Sequence, residues 1–182
     1  MISRLQKGLV GLLLAWCATS AAFASSGTVI DPQGRLLEGV RVCYVAGEVE
    51  QLCVTTEEDG AWKLPNSGID TVRLSLAGFL PKKISSLPRA EAVILSPAAT
   101  LVIKFEGPNG KPLAGGEAEI VRPSGLQVGP FPVSREAGTR IRSLEPGPVV
   151  ILGRSDGFDP ASSTQTELVA GEETTIVIRF KR

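Results

Sequence analysis

TVRLSL, the stretch at residues 71–76, alternates apolar and polar side chains over six consecutive positions. In an extended chain successive side chains point to opposite faces, so the three apolar side chains share one face while Arg73 and Ser75 share the other. This pattern is typical of a β-strand with one buried face.

Similar segments rich in Val, Ile, Leu and Thr run through residues 25–182, divided by clusters of Gly, Pro, Asn and Asp. Short strands with turn residues about every eight to twelve positions are typical of an all-β sandwich. We expect almost no helix, because a Gly or Pro interrupts every stretch with helical apolar spacing. The strands predicted in the first half are residues 27–31, 40–45, 51–56, 61–64, 71–77, 81–85 and 92–95.

The second half of the sequence repeats the first, 76 to 79 residues later. Landmarks that keep one order at a nearly constant offset indicate two copies of a module. The matches are GRLLEG at 34–39 with GKPLAG at 110–115, GAWKL at 60–64 with GTRIR at 138–142, and Gly78–Phe79 with Gly157–Phe158. Pro97 separates the copies. We therefore predict two tandem seven-stranded β-sandwich modules, at residues 25–97 and 98–182, joined by a short, stiff linker.

The first 24 residues have the features of a signal peptide. Arg4 and Lys7 precede an apolar run at residues 8–18, and small residues place Ala22 and Ala24 in the A-x-A arrangement. The apolar run of about 11 residues is shorter than the ~20 needed to span a bilayer. We predict cleavage after Ala24 and no transmembrane segment in the mature chain. Lipidation at Cys17 is the alternative, although Trp16 stands where a small residue is expected.

Charge and composition exclude several classes of function. The whole chain has 19 Lys and Arg against 19 Asp and Glu, so losing Arg4 and Lys7 leaves 17 against 19, a net charge of −2. Nucleic-acid binders usually have a basic face, so no nucleic-acid partner is expected. The chain has no histidine, which removes the usual base of serine and cysteine hydrolases and a common metal ligand. We predict no catalytic, cofactor or metal site.

The acids at residues 57–59, Glu57, Glu58 and Asp59, form the densest acidic cluster. They fall in a predicted hairpin turn and lack the ordered spacing of a calcium-binding loop. We expect them to be solvated.

The exported chain would keep two cysteines, Cys43 and Cys53. A pair of cysteines in an oxidising compartment indicates one disulfide, and two free thiols are the alternative. A turn at residues 47–49, centred on Glu48, pairs residues whose numbers sum to 96, so Cys43 faces Cys53. Directly opposed strand positions lie within the span of a disulfide.

Four segments of the first module resemble the carboxypeptidase regulatory-like domain, a transthyretin-like seven-stranded sandwich. The opening strand and turn GTVIDPQG, the second strand LEGVRV, the hairpin TEEDGAW and the corner AGF carry this resemblance, at residues 27–34, 37–42, 56–62 and 77–79. Leu36 and Glu57 depart from the family pattern, which usually has proline and aspartate there. The second module is a weaker, diverged copy.

Together with the predicted signal peptide, the resemblance implies an exported, non-catalytic module of the cell envelope or exterior, whether periplasmic, cell-surface or secreted. Its partner would be a separate protein chain or an envelope glycan, with no cofactor. A carbohydrate-binding module of the starch-binding-like fold is the alternative, because that fold resembles the transthyretin-like sandwich. A sugar platform needs exposed aromatic side chains. The candidates are Tyr44, Phe79, Phe131 and Phe158, of which Phe79 and Phe158 are expected in the core with Trp62.

Overall fold

The computed structural model describes residues 25–65, 71–85, 92–113, 115–134 and 138–181. All secondary-structure elements within these ranges are β-strands, which confirms the all-β prediction. The predicted signal peptide lies outside the described residues. The strands of the first half are β1 (Ser25–Ile30), β2 (Arg41–Ala46), β3 (Val49–Thr55), β4 (Ala61–Leu64), β5 (Thr71–Ser75), β6 (Lys82–Ser85) and β7 (Ala92–Ile94).

The first half forms two sheets around one apolar core. One sheet has the strand order β4-β1-β7 and the other β3-β2-β5-β6, and every pairing is antiparallel except that of β1 with β7. All seven strands predicted in this half are present, with ends within two residues of those predicted. The buried core contains Val29, Val40, Val42, Trp62, Leu64, Val72, Leu74, Val93 and Leu95.

The second half has the same order of strands around its own core. Its strands are β8 (Ala99–Glu106), β9 (Glu117–Val121), β10 (Gln127–Pro132), β11 (Thr139–Leu144), β12 (Gly147–Arg154), β13 (Ala161–Ser162), β14 (Thr166–Leu168) and β15 (Glu173–Arg179). One sheet has the order β11-β8-β15, and the other has β10-β9-β12 followed by β13 and β14, with β8 and β15 parallel as β1 and β7 are.

The described residues of the second half therefore contain eight strands, where we predicted seven. The reason is an interruption at Ser163, since β13 pairs with the end of β12 and β14 with its beginning. At the interruption the Ile151 N–H donates to the Ser163 hydroxyl and the Ser163 N–H donates to the Ile151 carbonyl, both at 2.9 Å. The two short strands occupy the position of one broken strand along β12.

The internal repeat is visible in individual hydrogen bonds. The turn at residues 31–35 closes with two backbone bonds of 2.9 and 3.0 Å, and the turn at 107–111 closes with the same two bonds at the same lengths. Gly34 and Gly110 occupy these turns with φ angles of 79° and 71°, a region that glycine enters without steric cost. Both copies thus make the same turn, 76 residues apart.

The linker between the halves is hydrogen-bonded on both sides. The Ala98 N–H donates to the Gly78 carbonyl at 2.8 Å, and the Ala98 carbonyl accepts from the Gly171 N–H at 2.9 Å. The Leu80 N–H also donates to the Ser96 carbonyl at 2.8 Å. Ala98 is only 3% exposed, so this connection is packed as well as bonded.

Candidate functional site

The acidic cluster at residues 57–59 builds a turn. The Asp59 carboxylate accepts a hydrogen bond of 2.8 Å from the Ala61 N–H, and the Gly60 N–H donates to the Glu57 carbonyl at 2.9 Å. Glu57 and Glu58 are exposed. An aspartate bonded to the backbone two residues on is a common turn device, so the arrangement of Asp59 is that of a structural residue.

Asp31 is the buried acid among the described residues, with a relative exposure of 1%. Its carboxylate accepts 2.9 Å bonds from the N–H groups of Gln33 and Arg35 and contacts the Arg35 guanidinium. Burial raises the pKa of this carboxyl, but the hydrogen bonds and the Arg35 charge outweigh burial and hold the pKa below its ordinary value of 3.8. A carboxyl that stays ionised in this way is poorly suited to donate a proton near neutral pH.

Cys43 and Cys53 face each other across β2 and β3 and are joined by a disulfide. Their pairing follows the predicted register. Closer to the turn the register shifts by one, because an irregularity between Cys43 and Val45 places Val45 opposite Glu50. The turn consists of residues 47 and 48 alone, so our prediction of a turn at 47–49 and of Val45 opposite Gln51 was wrong.

Ion pairs lie beside the disulfide. The Glu50 carboxylate lies 3.0 Å from the Arg41 guanidinium and 3.7 Å from that of Arg73. A carboxylate oxygen of Glu50 and the two sulfur atoms all lie within 4.8 Å of one another. While the two sulfurs are bonded to each other they offer no thiolate to a cation.

Two clefts open at one end of the second half, with volumes of about 830 and about 450 Å³. They share Leu113 and Phe158. The larger cleft combines these apolar side chains with the charged residues Glu117, Arg154 and Asp156, and the guanidinium of Arg154 lies 3.7 Å from Glu119. The remaining lining residues are Gly107, Pro108, Asn109 and Lys111 in the smaller cleft, and Gly115, Gly116, Pro132, Ser155 and Pro160 in the larger.

Phe158 connects the clefts to the core. Its ring centroid lies 5.9 Å from that of Phe180, which in turn contacts Phe105 edge-on at 4.9 Å. The side chain is half-buried and packs against the core, and it also lines both clefts. The prediction of a core position is therefore only partly right, whereas Trp62 is buried as predicted, at 4% exposure.

The equivalent side chain in the first half, Phe79, is also half-buried, so its predicted core position is likewise only partly right. Phe79 forms a β-bridge with Pro97 of the linker, and it packs against the first core. Tyr44 and Phe131 are half-buried, and Phe131 packs against the second core. Among the four aromatic candidates, Phe158 has the geometry of a binding surface.

No helix within the described ranges has the length and apolar character needed to cross a membrane.

No family model matches this chain, and no curated protein matches it. Several solved structures are similar at low identity. The Bacillus anthracis TIE protein has 15% identity and a TM-score of 0.41, over 87% of this chain and 34% of that one. A streptococcal ancillary pilin has 14% identity and a TM-score of 0.38, over 90% and 63% of the two chains. The minor pilin GBS52 of Streptococcus agalactiae has 14% identity and a TM-score of 0.41, over 87% and 96%.

This chain thus spans about a third of the length of the Bacillus protein and 63% of that of the streptococcal pilin. At these TM-scores the likenesses assign no family.

Proposed function

We propose that the protein is an exported, non-catalytic structural module of the cell envelope or exterior, which holds two β-sandwiches in a fixed relation for contact with a protein partner. In this proposal the first module, residues 25–97, is of the carboxypeptidase regulatory-like type, and the second, residues 98–182, is a diverged β-sandwich of similar type. The observation that carries the proposal is the linker, because Ala98 is hydrogen-bonded to Gly78 on one side and to Gly171 on the other. A linker fixed at both ends suits a spacer better than a pair of independent domains.

The side-chain chemistry supports a role without catalysis. The chain has no histidine, the Asp59 carboxylate bonds to its own turn, and Asp31 is held ionised by its neighbours. A general acid or base would need a pKa closer to neutral pH and access to a substrate. We expect the purified protein to hydrolyse no peptide, ester or glycoside.

The rigidity of the pair is testable by ¹⁵N relaxation of the mature protein. We expect both halves to tumble with one rotational correlation time. Ala98→Pro removes the N–H that bonds to Gly78 and should give the halves different correlation times, while Leu126→Ala, at a side chain 57% exposed in the second half, serves as the control. Separate correlation times in the unaltered protein would contradict the proposal.

The clefts beside Phe158 favour a second candidate function, carbohydrate binding. A half-buried ring backed by Phe180, with Glu117, Arg154 and Asp156 around it, offers one apolar surface and several groups able to bond hydroxyls. A glycan array with the unaltered protein, Phe158→Ala and the Leu126→Ala control separates the candidates. Binding that Phe158→Ala removes and Leu126→Ala retains would assign the cleft to sugars, and an array without signal would favour the protein partner.

A further inference from the structure

The disulfide lies on the solvent side of its sheet. Val42 and Leu74 point into the core from β2 and β5, and Cys43 has the opposite orientation to Val42 because strand side chains alternate. Its partner across the ladder is Arg73, whose side chain is half exposed. Cys43 itself is only 1% exposed, and the charged side chains of Arg73 and Glu50 lie in contact with each other on the same face.

Glu50 is aimed at the same place. The shift of register after Cys43 brings Glu50 opposite Val45, and an oxygen of its carboxylate comes within 4.8 Å of both sulfurs. In a tetrahedral site with Zn–S bonds of about 2.3 Å and a Zn–O bond of about 2.0–2.2 Å, neighbouring ligand atoms lie roughly 3.5–3.8 Å apart. The backbone pairing of β2 and β3 places Cys43 opposite Cys53 independently of the disulfide, and we expect side-chain rotation to supply the adjustment once the sulfurs are no longer bonded.

The three ligand groups and the two guanidinium groups beside them leave the reduced site with a net negative charge. Arg41 and Arg73 each contact a different oxygen of Glu50, at 3.0 and 3.7 Å. Each carboxylate oxygen has two lone pairs, so the more distant Arg73 contact leaves room for a metal bond. The two guanidinium groups also favour thiolates nearby. Two thiolates, one carboxylate and two guanidiniums sum to −1, and a divalent cation changes this to +1.

We propose that reduction of the Cys43–Cys53 disulfide converts this face into a binding site for a thiophilic divalent cation such as Zn²⁺, with the two sulfurs and Glu50 as ligands and water in the fourth position. A dithiol supplies two electrons and two protons to the sulfurs and becomes a disulfide itself. Cation binding then releases both protons from the cysteines. The site is present only in the reduced protein, so the disulfide controls it.

Co²⁺ is a suitable probe, because its thiolate complexes absorb through charge transfer and tetrahedral sites have intense visible bands. The mature protein is reduced with a dithiol, freed of the reagent without oxygen, and titrated. We expect one Co²⁺ per reduced chain, displaceable by Zn²⁺, and none per oxidised chain. Glu50→Gln should weaken binding by at least about tenfold, whereas Glu50→His, which supplies an imidazole ligand, should retain it.

Glu48→Gln is the matched control. Glu48 lies in the turn of the same hairpin, is 96% exposed and contacts Lys83 at 3.6 Å, so its removal changes the local charge without removing a ligand. The reduced Glu48→Gln variant should bind Co²⁺ with the same affinity as the reduced unaltered protein. Equal affinity in the Glu50→Gln variant, the absence of a charge-transfer band, or loss of the β-sheet circular dichroism on reduction would each overturn the proposal.

Discussion

A buried carboxylate stabilises one of the two equivalent turns, and an exposed amide serves the other. In the first copy the Asp31 side chain accepts bonds from the backbone of Gln33 and Arg35. In the second copy Gly107 stands in its place, and the Asn109 side chain accepts one bond of 3.2 Å from the Lys111 N–H. Only the first turn therefore depends on an ionised group.

The stability of the protein should accordingly depend on pH through Asp31. The pKa of this carboxyl is lower in the folded chain than its ordinary value of 3.8. Its contribution is complete above the unfolded pKa and is lost as the pH falls through the lower, folded pKa. The free energy of unfolding in urea, measured at pH values from about 7 down to about 2, should decrease as the pH is lowered through that acidic window.

Asp31→Asn should lower stability at neutral pH and flatten this acidic decrease, because it removes the titrating group. Glu57→Gln is the control, since Glu57 is exposed, and it should leave the decrease in place. An unchanged acidic slope in Asp31→Asn would contradict the assignment.

A glycine lies at close approach to the first strand in each copy. A Cβ added to Gly60 would lie 2.6 Å from the Val29 carbonyl oxygen, and one added to Gly138 would lie 2.5 Å from that of Ile103. Their φ angles are 68° and 72°, so a side chain there meets backbone strain as well as a clash.

We expect Gly60→Ala to destabilise the protein by about 2–4 kcal/mol, which combines the backbone strain with the forced shift of a strand. Gly34→Ala is the matched control, because Gly34 has a φ of 79° but no atom within 4 Å of an added Cβ. It should cost only about 1 kcal/mol. Urea unfolding of both variants measures the difference in their free energies of unfolding. Equal losses of stability would show that the close approach at Gly60 does not contribute.

At the scale of the elements, alternation predicts strands well because each strand contains its own pattern. All seven first-half strands follow from it. The register of β2 and β3 near their turn does not, because turns of two and of three residues both fit the spacing and the irregularity beside Tyr44 leaves no mark in the sequence. The interruption at Ser163 could not be predicted either, because it too leaves no mark in the sequence.

The clefts could not be predicted, because their residues come from segments far apart in the chain. Leu113 precedes β9 and Glu117 begins it, whereas Arg154 ends β12 and Phe158 follows that strand. One signal was present. The repeat gives Phe79-Leu80-Pro81 in the first copy and Phe158-Asp159-Pro160 in the second, and a charged residue beside a supposed core aromatic indicates a more open position.

The disulfide should stabilise the hairpin of β2 and β3. It closes a loop with a sequence separation of 10, so its removal should cost about 2–3 kcal/mol. Cys43→Ser with Cys53→Ser tests this by urea unfolding. The double variant should be insensitive to reductant, whereas the unaltered protein should lose the same amount of stability on reduction. Two free thiols per oxidised, denatured chain would contradict the bond.

At the scale of the whole molecule, the segment predicted to direct export, residues 1–24, precedes the residues that form the two modules. We predict that the exported protein begins at Ser25, because Ala22 and Ala24 form the cleavage pattern after the apolar run. Intact-mass measurement of exported material checks this. A mass that includes a lipidated Cys17 would replace the prediction with the lipoprotein alternative.

The two cores are separate, although the linker is fixed to both. The first buried cluster draws on residues 29–95 and the second on residues 99–180. Among the described residues, the backbone hydrogen bond from the Ala98 N–H to the Gly78 carbonyl crosses the junction, and Phe79 forms a β-bridge with Pro97 beside it. Each module thus buries its own apolar surface, and the free energy that holds each fold is local to it.

The modules should therefore respond separately to core mutations. Trp62 is the only tryptophan after residue 24 and is buried in the first core, so its fluorescence reports the first module while far-UV circular dichroism reports both. Leu74→Ala and Ile120→Ala remove side chains that are 0% exposed in the first and second cores, at a cost of about 2–5 kcal/mol each. Leu74→Ala should lower the urea midpoint of Trp62 fluorescence. Ile120→Ala should lower the urea midpoint of only that part of the dichroism transition that comes from the second module. Equal shifts of the fluorescence midpoint in both variants would show that the linker makes the two modules one cooperative unit.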